Sequence, residues 1–393
     1  MFNFNYYAPT KVIFGKQTEN QVGEQIKNFG GKKILIHYGG KSAIKSGLID
    51  RVKKSLDAEN ISYVELGGVV PNPHLSKVLE GVELGKREGV DFILAVGGGS
   101  VIDSSKAIAY ALAEPDKNVW ELHSRQRQAK KCLPIGVVLT IAAAGSEMSD
   151  SCVITNEKTG EKRGYSNDLS RAKFAIMNPE LTMTLPDYQT QAGCTDIMMH
   201  TMERYFTQGG NMEITDSIAE GLLRTVMKNA KILHVDPKNY NARAEVMWAS
   251  SLSHNGLTGC GADGKDFASH KLEHELSGMF DVTHGAGLAA IWPSWARYVY
   301  KNCLERFVKF AVNVMQVEPS ANDEETALKG IAATEKFFKE IGMPTNLPEL
   351  GINPTDDQIE QMAESCAKGA GGSFGTAKKI FKDDIIAIYK SAR

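Results

Sequence analysis

Asp91-Phe92-Ile93-Leu94-Ala95-Val96-Gly97-Gly98-Gly99-Ser100-Val101-Ile102-Asp103 decides the fold. An unbroken apolar run stops at three glycines, and helical spacing begins near Val101, so the stretch reads as a buried strand turning into a helix. Glycines let the backbone approach a ligand closely. The first N–H groups of the helix are unpaired and sit at the positive end of its dipole, so the turn is built to hold a phosphate. Ser100 is placed as N-cap, and Asp103 stands three residues on, where a capping-box acid belongs. The turn is neither G-x-G-x-x-G nor a P-loop, and the same letters also suit a tight turn without a ligand.

Outward from this stretch, strands and helices alternate. Lys33-Ile34-Leu35-Ile36-His37-Tyr38 is a compact strand, followed by helical spacing from about Ala43 to Leu56. Ile61 to Leu66 reads as a strand, Leu75 to Arg87 as a helix and Pro134 to Thr140 as another strand. This alternation predicts βαβ units and a parallel, Rossmann-like sheet. From about Leu185 the spacing is helical throughout, for example over Ile214–Ala230, Asn241–His254, Leu304–Val317, Asn322–Ile341 and Asp356–Ala367. The expected organisation is an α/β dinucleotide-binding domain over 1–186 and an all-α metal-binding domain over 187–393.

Lys plus Arg is 45 and Asp plus Glu is 47, a net charge of −2 that gives no electrostatic reason for nucleic acid or an anionic membrane as partner. The uncharged stretches Cys132–Ser146 and Val282–Ala296 are too short to span a bilayer. No secretory signal opens the chain. The six cysteines are scattered without a C-x-x-C, which predicts reduced thiols and a cytoplasmic protein.

Tyr38-Gly39-Gly40-Lys41-Ser42 follows an early strand. An acid at such a place binds the adenosine ribose hydroxyls. Here glycines, a lysine and a serine stand instead, which favours the 2′-phosphate of NADP(H) over NAD. In the helical half, Asp196 and His200 lie at i and i+4 on one helical face, and so do His270 and His274. His284 follows, before Gly285. One carboxylate with several imidazoles suits Fe(II) or Zn(II). Spacing alone nominates both His270 and His274 as ligands.

Taken together, these segments resemble the iron-containing (group III) alcohol dehydrogenases, in particular the NADPH-dependent butanol dehydrogenase and aldehyde reductase branch. The resemblance spans essentially the whole chain. It rests on Pro71-Asn72-Pro73, Gly97 to Asp103, Leu139-Thr140 through Gly145-Ser146-Glu147, Asn178-Pro179, Asp196-x-x-x-His200 and the spacing of His270, His274 and His284. Asn5–Gly15 looks like the family's N-terminal hairpin strand. The resemblance implies the two-domain, dehydroquinate synthase-like architecture and a divalent metal, Fe(II) or Zn(II), held by Asp196, His200, His270 and His284. It makes His274 a candidate catalytic residue, a proton relay facing the nicotinamide, and not a ligand. It further implies cofactor contacts at Gly39, Gly40, Ser42, Asn72, Gly97, Gly98, Gly99, Ser100, Asp103, Thr140 and Lys162, and a homodimer.

The chain departs from the pattern at Ile141 to Ala144, where relatives usually keep a threonine. Glu273 stands where relatives often have a small residue, and Thr283 replaces a common proline. The implied reaction is reversible hydride transfer between NADP(H) and small primary alcohols and aldehydes. A dehydroquinate synthase-like carbon–oxygen lyase would need a basic, phosphate-reading substrate site. Lys265 and Lys271 are present, without an obvious cluster. A non-catalytic metal or nucleotide sensor would bind cofactor without turnover.

Overall fold

The computed structural model describes residues 1–208 and 210–393. The chain divides into two compact units: residues 8–184, and residues 185–393 together with 1–7. The first seven residues were expected with the α/β half. They group instead with the helical one, where the Phe2 N–H donates to the Gly261 carbonyl at 3.0 Å.

The α/β unit carries strands β1 (Lys11–Phe14), β2 (Lys33–Tyr38), β3 (Ser62–Leu66), β4 (Phe92–Gly97), β5 (Ile135–Leu139), β6 (Ser151–Asn156), β7 (Glu161–Ser166) and β8 (Phe174–Met177). Its helices are α1 (Val22–Asn28), α2 (Ser42–Lys45), α3 (Leu48–Ala58), α4 (Leu75–Glu88), α5 (Gly99–Ala113) and α6 (Trp120–His123). Six strands form one parallel sheet in the order β1-β8-β5-β4-β2-β3, and β6 and β7 form a separate antiparallel hairpin.

Strands β4, β5 and β8 are buried along their whole length. That explains their continuous apolar runs, because a parallel strand covered on both faces has no solvent side to mark by alternation. Val22 and Ile26 of α1 and Leu48, Ile49, Val52 and Leu56 of α3 pack with Ile34, Ile36, Phe92 and Leu94 of the sheet. Each such side chain stabilises the unit by about 1.5–3 kcal/mol. The helix expected over Ala43–Leu56 is two helices, because Gly47 takes φ 70° and starts α3 afresh. The hairpin strand expected at Asn5–Gly15 is present only as β1. It lies parallel to β8, with Lys11 opposite Phe174 and Phe14 opposite Met177.

The helical unit comprises α7 (Asp187–Tyr205), α8 (Glu213–Val235), α9 (Tyr240–His254), α10 (Ala268–Phe280), α11 (His284–Val299), α12 (Leu304–Asn313), α13 (Asp323–Glu340), α14 (Asp356–Gly369) and α15 (Lys382–Ala392). From Thr190 to Tyr205 α7 is buried on every face, so it is the central helix of this unit. Helix α11 reaches it closely because position 285 is glycine: a Cβ there would run into the Ala192 carbonyl oxygen. Phe206, Trp292, Trp295, Phe307 and Phe310 form an aromatic core, with Phe206 and Phe307 stacked at 4.3 Å between ring centroids. All six cysteines are free. No helix among the described residues is long and apolar enough to cross a membrane.

Candidate metal centre and nucleotide edge

A helix buried all round should be apolar, yet α7 carries Asp196, His200, Glu203 and Arg204 in its buried span. Such groups are costly inside a protein unless something pairs with them. Asp196, His270 and His284 each offer a donor atom, and the three atoms all lie within 4.8 Å of one another. Three helices supply them: α7 gives Asp196, α10 gives His270, and His284 is the first residue of α11. Nε2 of His270 is 3.4 Å from Asp196 Oδ1, and Nε2 of His284 is 3.7 Å from the same oxygen. Asp196 Oδ1 and His270 Nε2 are nonetheless buried with no aligned hydrogen-bond partner among the described residues. Two orphaned buried atoms would cost about 1–3 kcal/mol each, and facing one another they suit a cation set between them.

His200, the fourth expected ligand, does not join that set of three. Its Nδ1 lies 3.2 Å from Asp196 Oδ1, and its ring centroid is 4.4 Å from that of His270. On its other side the ring of His254, the last residue of α9, stands perpendicular at 4.0 Å. His274 stands outside the set too, with its ring 6.5 Å from His270 and 5.9 Å from His284.

Electrostatics separates two of these imidazoles. Burial, neighbouring imidazoles and Arg204 push the His200 pKa well below its usual 6.5. Burial opposes charge at His270 as well, but the carboxylates of Glu203 and Asp196 outweigh it and lift the value to about 9.

Sequence reasoning missed Glu203 here, and it noted Glu273 only as a departure, without its partners. Glu203 accepts from His270 at both its backbone N–H, at 3.1 Å, and its Nδ1. Glu273 takes Nδ1 of His284 and the hydroxyl of Ser277. Helical spacing could have flagged both, since Glu203 is seven residues after Asp196 and Glu273 three after His270, on the same faces. Asp266 was also missed. Its carboxylate takes the N–H groups of Ala268, Thr376 and Ala377 at 3.0, 2.7 and 2.8 Å, which pins the start of α10.

In the α/β unit, β2, β4 and β5 are neighbours in register, with Tyr38 beside Val96 and Gly97 beside Leu139. Their carboxyl ends therefore align Gly39 and Gly40, Gly97 to Ser100, and Thr140 along one sheet edge. The strand order reverses between β2 and β4, the place where open α/β sheets bind nucleotides. The N-cap of α5 is Gly98, not Ser100, and no side chain caps it. Asp103 forms no capping box because it turns inward: Oδ1 accepts from the Ser146 hydroxyl at 2.5 Å and Oδ2 from the Val153 N–H at 2.9 Å.

Lys106 is fully buried one turn on. Its ammonium donates to the carbonyls of Ser146, Ser149 and Ser151 at 2.7, 2.9 and 2.8 Å. A Cβ on Gly98 would press on Ile141 at 2.9 Å, and one on Gly99 on Ala144 at 3.0 Å. The small residues of that stretch therefore fit against the glycine turn. Asn72 sits in the left-handed region at φ 53°. Next to it the Pro73 carbonyl accepts the Thr155 N–H at 2.8 Å, and Thr155 pairs with Lys162 across the β6–β7 hairpin. Thus Asn72 and Lys162, ninety positions apart in the chain, reach one neighbourhood.

Comparison with known proteins bears on both units. The family model described as iron-containing alcohol dehydrogenase matches residues 9–179, and that of the C-terminal part of the Fe-containing alcohol dehydrogenase family matches 190–393. The chain is 41% identical, over the full length of both, to NADH-dependent butanol dehydrogenase A of Clostridium acetobutylicum. It is 34% identical, again over both full lengths, to the NADPH-dependent aldehyde reductase YqhD of Escherichia coli. The crystal structure of NADH-dependent butanol dehydrogenase A from Thermotoga maritima has a TM-score of 0.95 at 41% identity, covering 100% of this chain and 99% of that one. A glycine turn at the sheet's switch point, a carboxylate facing imidazoles across three helices, and matches running the length of the chain place it in the iron-containing alcohol dehydrogenase family, as an NAD(P)-dependent alcohol/aldehyde oxidoreductase that uses a divalent metal.

Proposed function

We propose that the protein interconverts small primary alcohols and aldehydes, mainly as an aldehyde reductase of the butanol dehydrogenase type, with NADP(H) and a divalent ion held by Asp196, His200, His270 and His284. The observation that carries this reading is the buried pair Asp196 Oδ1 and His270 Nε2, which face each other at 3.4 Å without an aligned hydrogen bond, a separation suited to a cation held by both. Three imidazoles and one carboxylate accept either Fe(II) or Zn(II). When bound, the ion supplies Lewis-acid polarisation of the carbonyl, and the nicotinamide supplies the hydride.

The chain's own residues do the rest. Asp196, His270 and His284 grip the ion from three helices, and His200 closes the set from α7. The N-terminus of α5, with Gly97, Gly98, Gly99 and Ser100, faces the dinucleotide phosphates. Gly39, Gly40 and Ser42 take the adenosine ribose end, and Asn72, Thr140 and Lys162 line the same edge. Asp103, committed to Ser146 and Val153, shapes that edge from behind. His274, next to the ligand imidazoles, carries a proton to or from solvent.

Absence of an acid after β2, with Lys41 and Ser42 nearby, supports NADP(H). The name of the 41%-identical clostridial relative supports NADH as the second reading. The protein is further proposed to be cytoplasmic, and to form a homodimer through β1, one of the two edge strands of the sheet. Elemental analysis of the purified protein, with NADPH and NADH rates on C2–C6 aldehydes, tests the assignment. Iron or zinc near one per chain and faster NADPH turnover are expected. A metal-free protein that turns over at full rate overturns it.

A further inference from the structure

We propose that Glu203 and Glu273 are positioning residues that fix which nitrogen of His270 and His284 faces the metal; the assignment rests on the metal centre proposed above. Both glutamates are fully buried. Each meets Nδ1 of a different imidazole, Glu203 that of His270 and Glu273 that of His284. A carboxylate accepts and cannot donate, so each Nδ1 must carry the proton. The lone pair is then left on Nε2, and the Nε2 atoms are the ones that lie 3.4 and 3.7 Å from Asp196 Oδ1. Ring direction is set before any ion arrives, and an ion at Nε2 displaces only the proton that faces Asp196, while the Nδ1 proton stays directed at the glutamate.

The arrangement is a chain of three helices. Helix α7 supplies Asp196 and, two turns later, the Glu203 that orients His270 of α10. Helix α10 supplies His270 and, one turn later, the Glu273 that orients His284 at the head of α11. Each carboxylate is itself held: Glu203 by the His270 backbone N–H at 3.1 Å, and Glu273 by Ser277. Helix α11 makes room for the second one, because a Cβ at Gly287 would stand 2.9 Å from Glu273 Cγ. Glu273, read from sequence as a departure near the proton relay, is therefore turned away from solvent and onto a ligand.

The test uses the full chain, stripped of metal, in wild-type, Glu273→Gln, Glu273→Ala and Ser277→Ala forms. Zn(II) affinity is measured by chelator competition, the visible spectrum is recorded with Co(II), and the thermal midpoint is taken without metal. Zn(II) binding should weaken about tenfold in Glu273→Gln and up to about 100-fold in Glu273→Ala, with an altered Co(II) spectrum. Ser277→Ala should weaken it less than either and keeps the test open should Glu273→Ala fail to fold. The metal-free midpoint of Glu273→Gln should match wild type. Unchanged affinity in Glu273→Gln and Ser277→Ala overturns the assignment, and so does an affinity loss accompanied by a fall in the metal-free midpoint of Glu273→Gln. A wild-type protein that binds neither Zn(II) nor Co(II) overturns the metal centre itself, and this assignment with it.

Discussion

Acid should loosen the α/β unit through His37. This residue is completely buried in β2, with Nδ1 at 2.9 Å from the Leu66 carbonyl and Nε2 at 2.8 Å from the Ser104 hydroxyl. Burial, which outweighs its hydrogen bond to Leu66, drives its pKa from 6.5 to about 4. Above pH 6.5 the ring is neutral folded and unfolded, and its contribution is complete. Between pH 6.5 and about 4 only the unfolded chain takes up the proton, so stability falls with each step of acidification. Below about 4 both states are charged and the loss is full. A difference of about 2.5 pH units, at about 1.4 kcal/mol each, bounds the effect near 3.5 kcal/mol.

Burial likewise lowers His123 to about 4 and His200 well below its usual range, so wild type should show further losses of this kind. Replacing His37 with glutamine removes one titrating group. Denaturant melts of wild type and His37→Gln, followed by circular dichroism from pH 7.5 to 4, isolate its share. The variant should lose about 2–3 kcal/mol less than wild type across that range. Parallel pH profiles would show that His37 protonates in the folded unit at little cost, and the burial argument would fail.

Other perturbations reach different parts of the molecule. Gly39→Asp has room, since its Cβ would stand 3.5 Å from the Val69 carbonyl and 3.7 Å from Val101, and the added carboxylate should cut the NADPH/NADH ratio of kcat/KM roughly tenfold; an unchanged ratio would show that this loop does not select. Gly285→Ala sets a Cβ against the Ala192 carbonyl, should cost about 1–3 kcal/mol and should weaken metal binding as His284 moves off, which calorimetry and metal analysis would read together. Lys106→Met leaves three buried carbonyls without their donor and should cost about 3–5 kcal/mol in thermal unfolding; a loss under about 1 kcal/mol would mean that water replaces the ammonium. His274→Ala should retain metal but slow turnover, whereas loss of the metal would make it a ligand.

How far the sequence could be read depended on how local each signal was. Strands β4 and β5 announced themselves because burial on both faces leaves no polar residue to interrupt them, and β2 did so through its Ile34-Leu35-Ile36 run although His37 is buried in it. Strand β8 is as buried but only four residues long, too short for a pattern to stand out. Strand β6 reads Ser-Cys-Val-Ile-Thr-Asn and β7 reads Glu-Lys-Arg-Gly-Tyr-Ser, so the hairpin carried no strong apolar period. Asp103 looked like a cap because it stands three residues after a serine. What it does is decided by Ser146 and Val153, over forty positions away. Asp196 and His200 were legible by helical spacing, as were His270 and His274, but that same spacing could not separate ligand from neighbour. Glu203 shares a helical face with Asp196, but what it orients could not be read, because its partner lies 67 positions on.

The helical unit is not continuous in sequence: residues 1–7 belong to it, and 177 residues of the other unit intervene before it resumes at Leu185. During synthesis the opening segment leaves the ribosome with nothing to bind. At about 5–20 residues per second, Phe2 waits roughly 10–50 s for Gly261, whose carbonyl takes its N–H. The α/β unit can complete itself in that interval, while an arm bearing Phe2, Phe4, Tyr6 and Tyr7 stays open to chaperones and to neighbouring nascent chains. Translation speed over the message up to Gly261 therefore sets how long this arm remains unfinished.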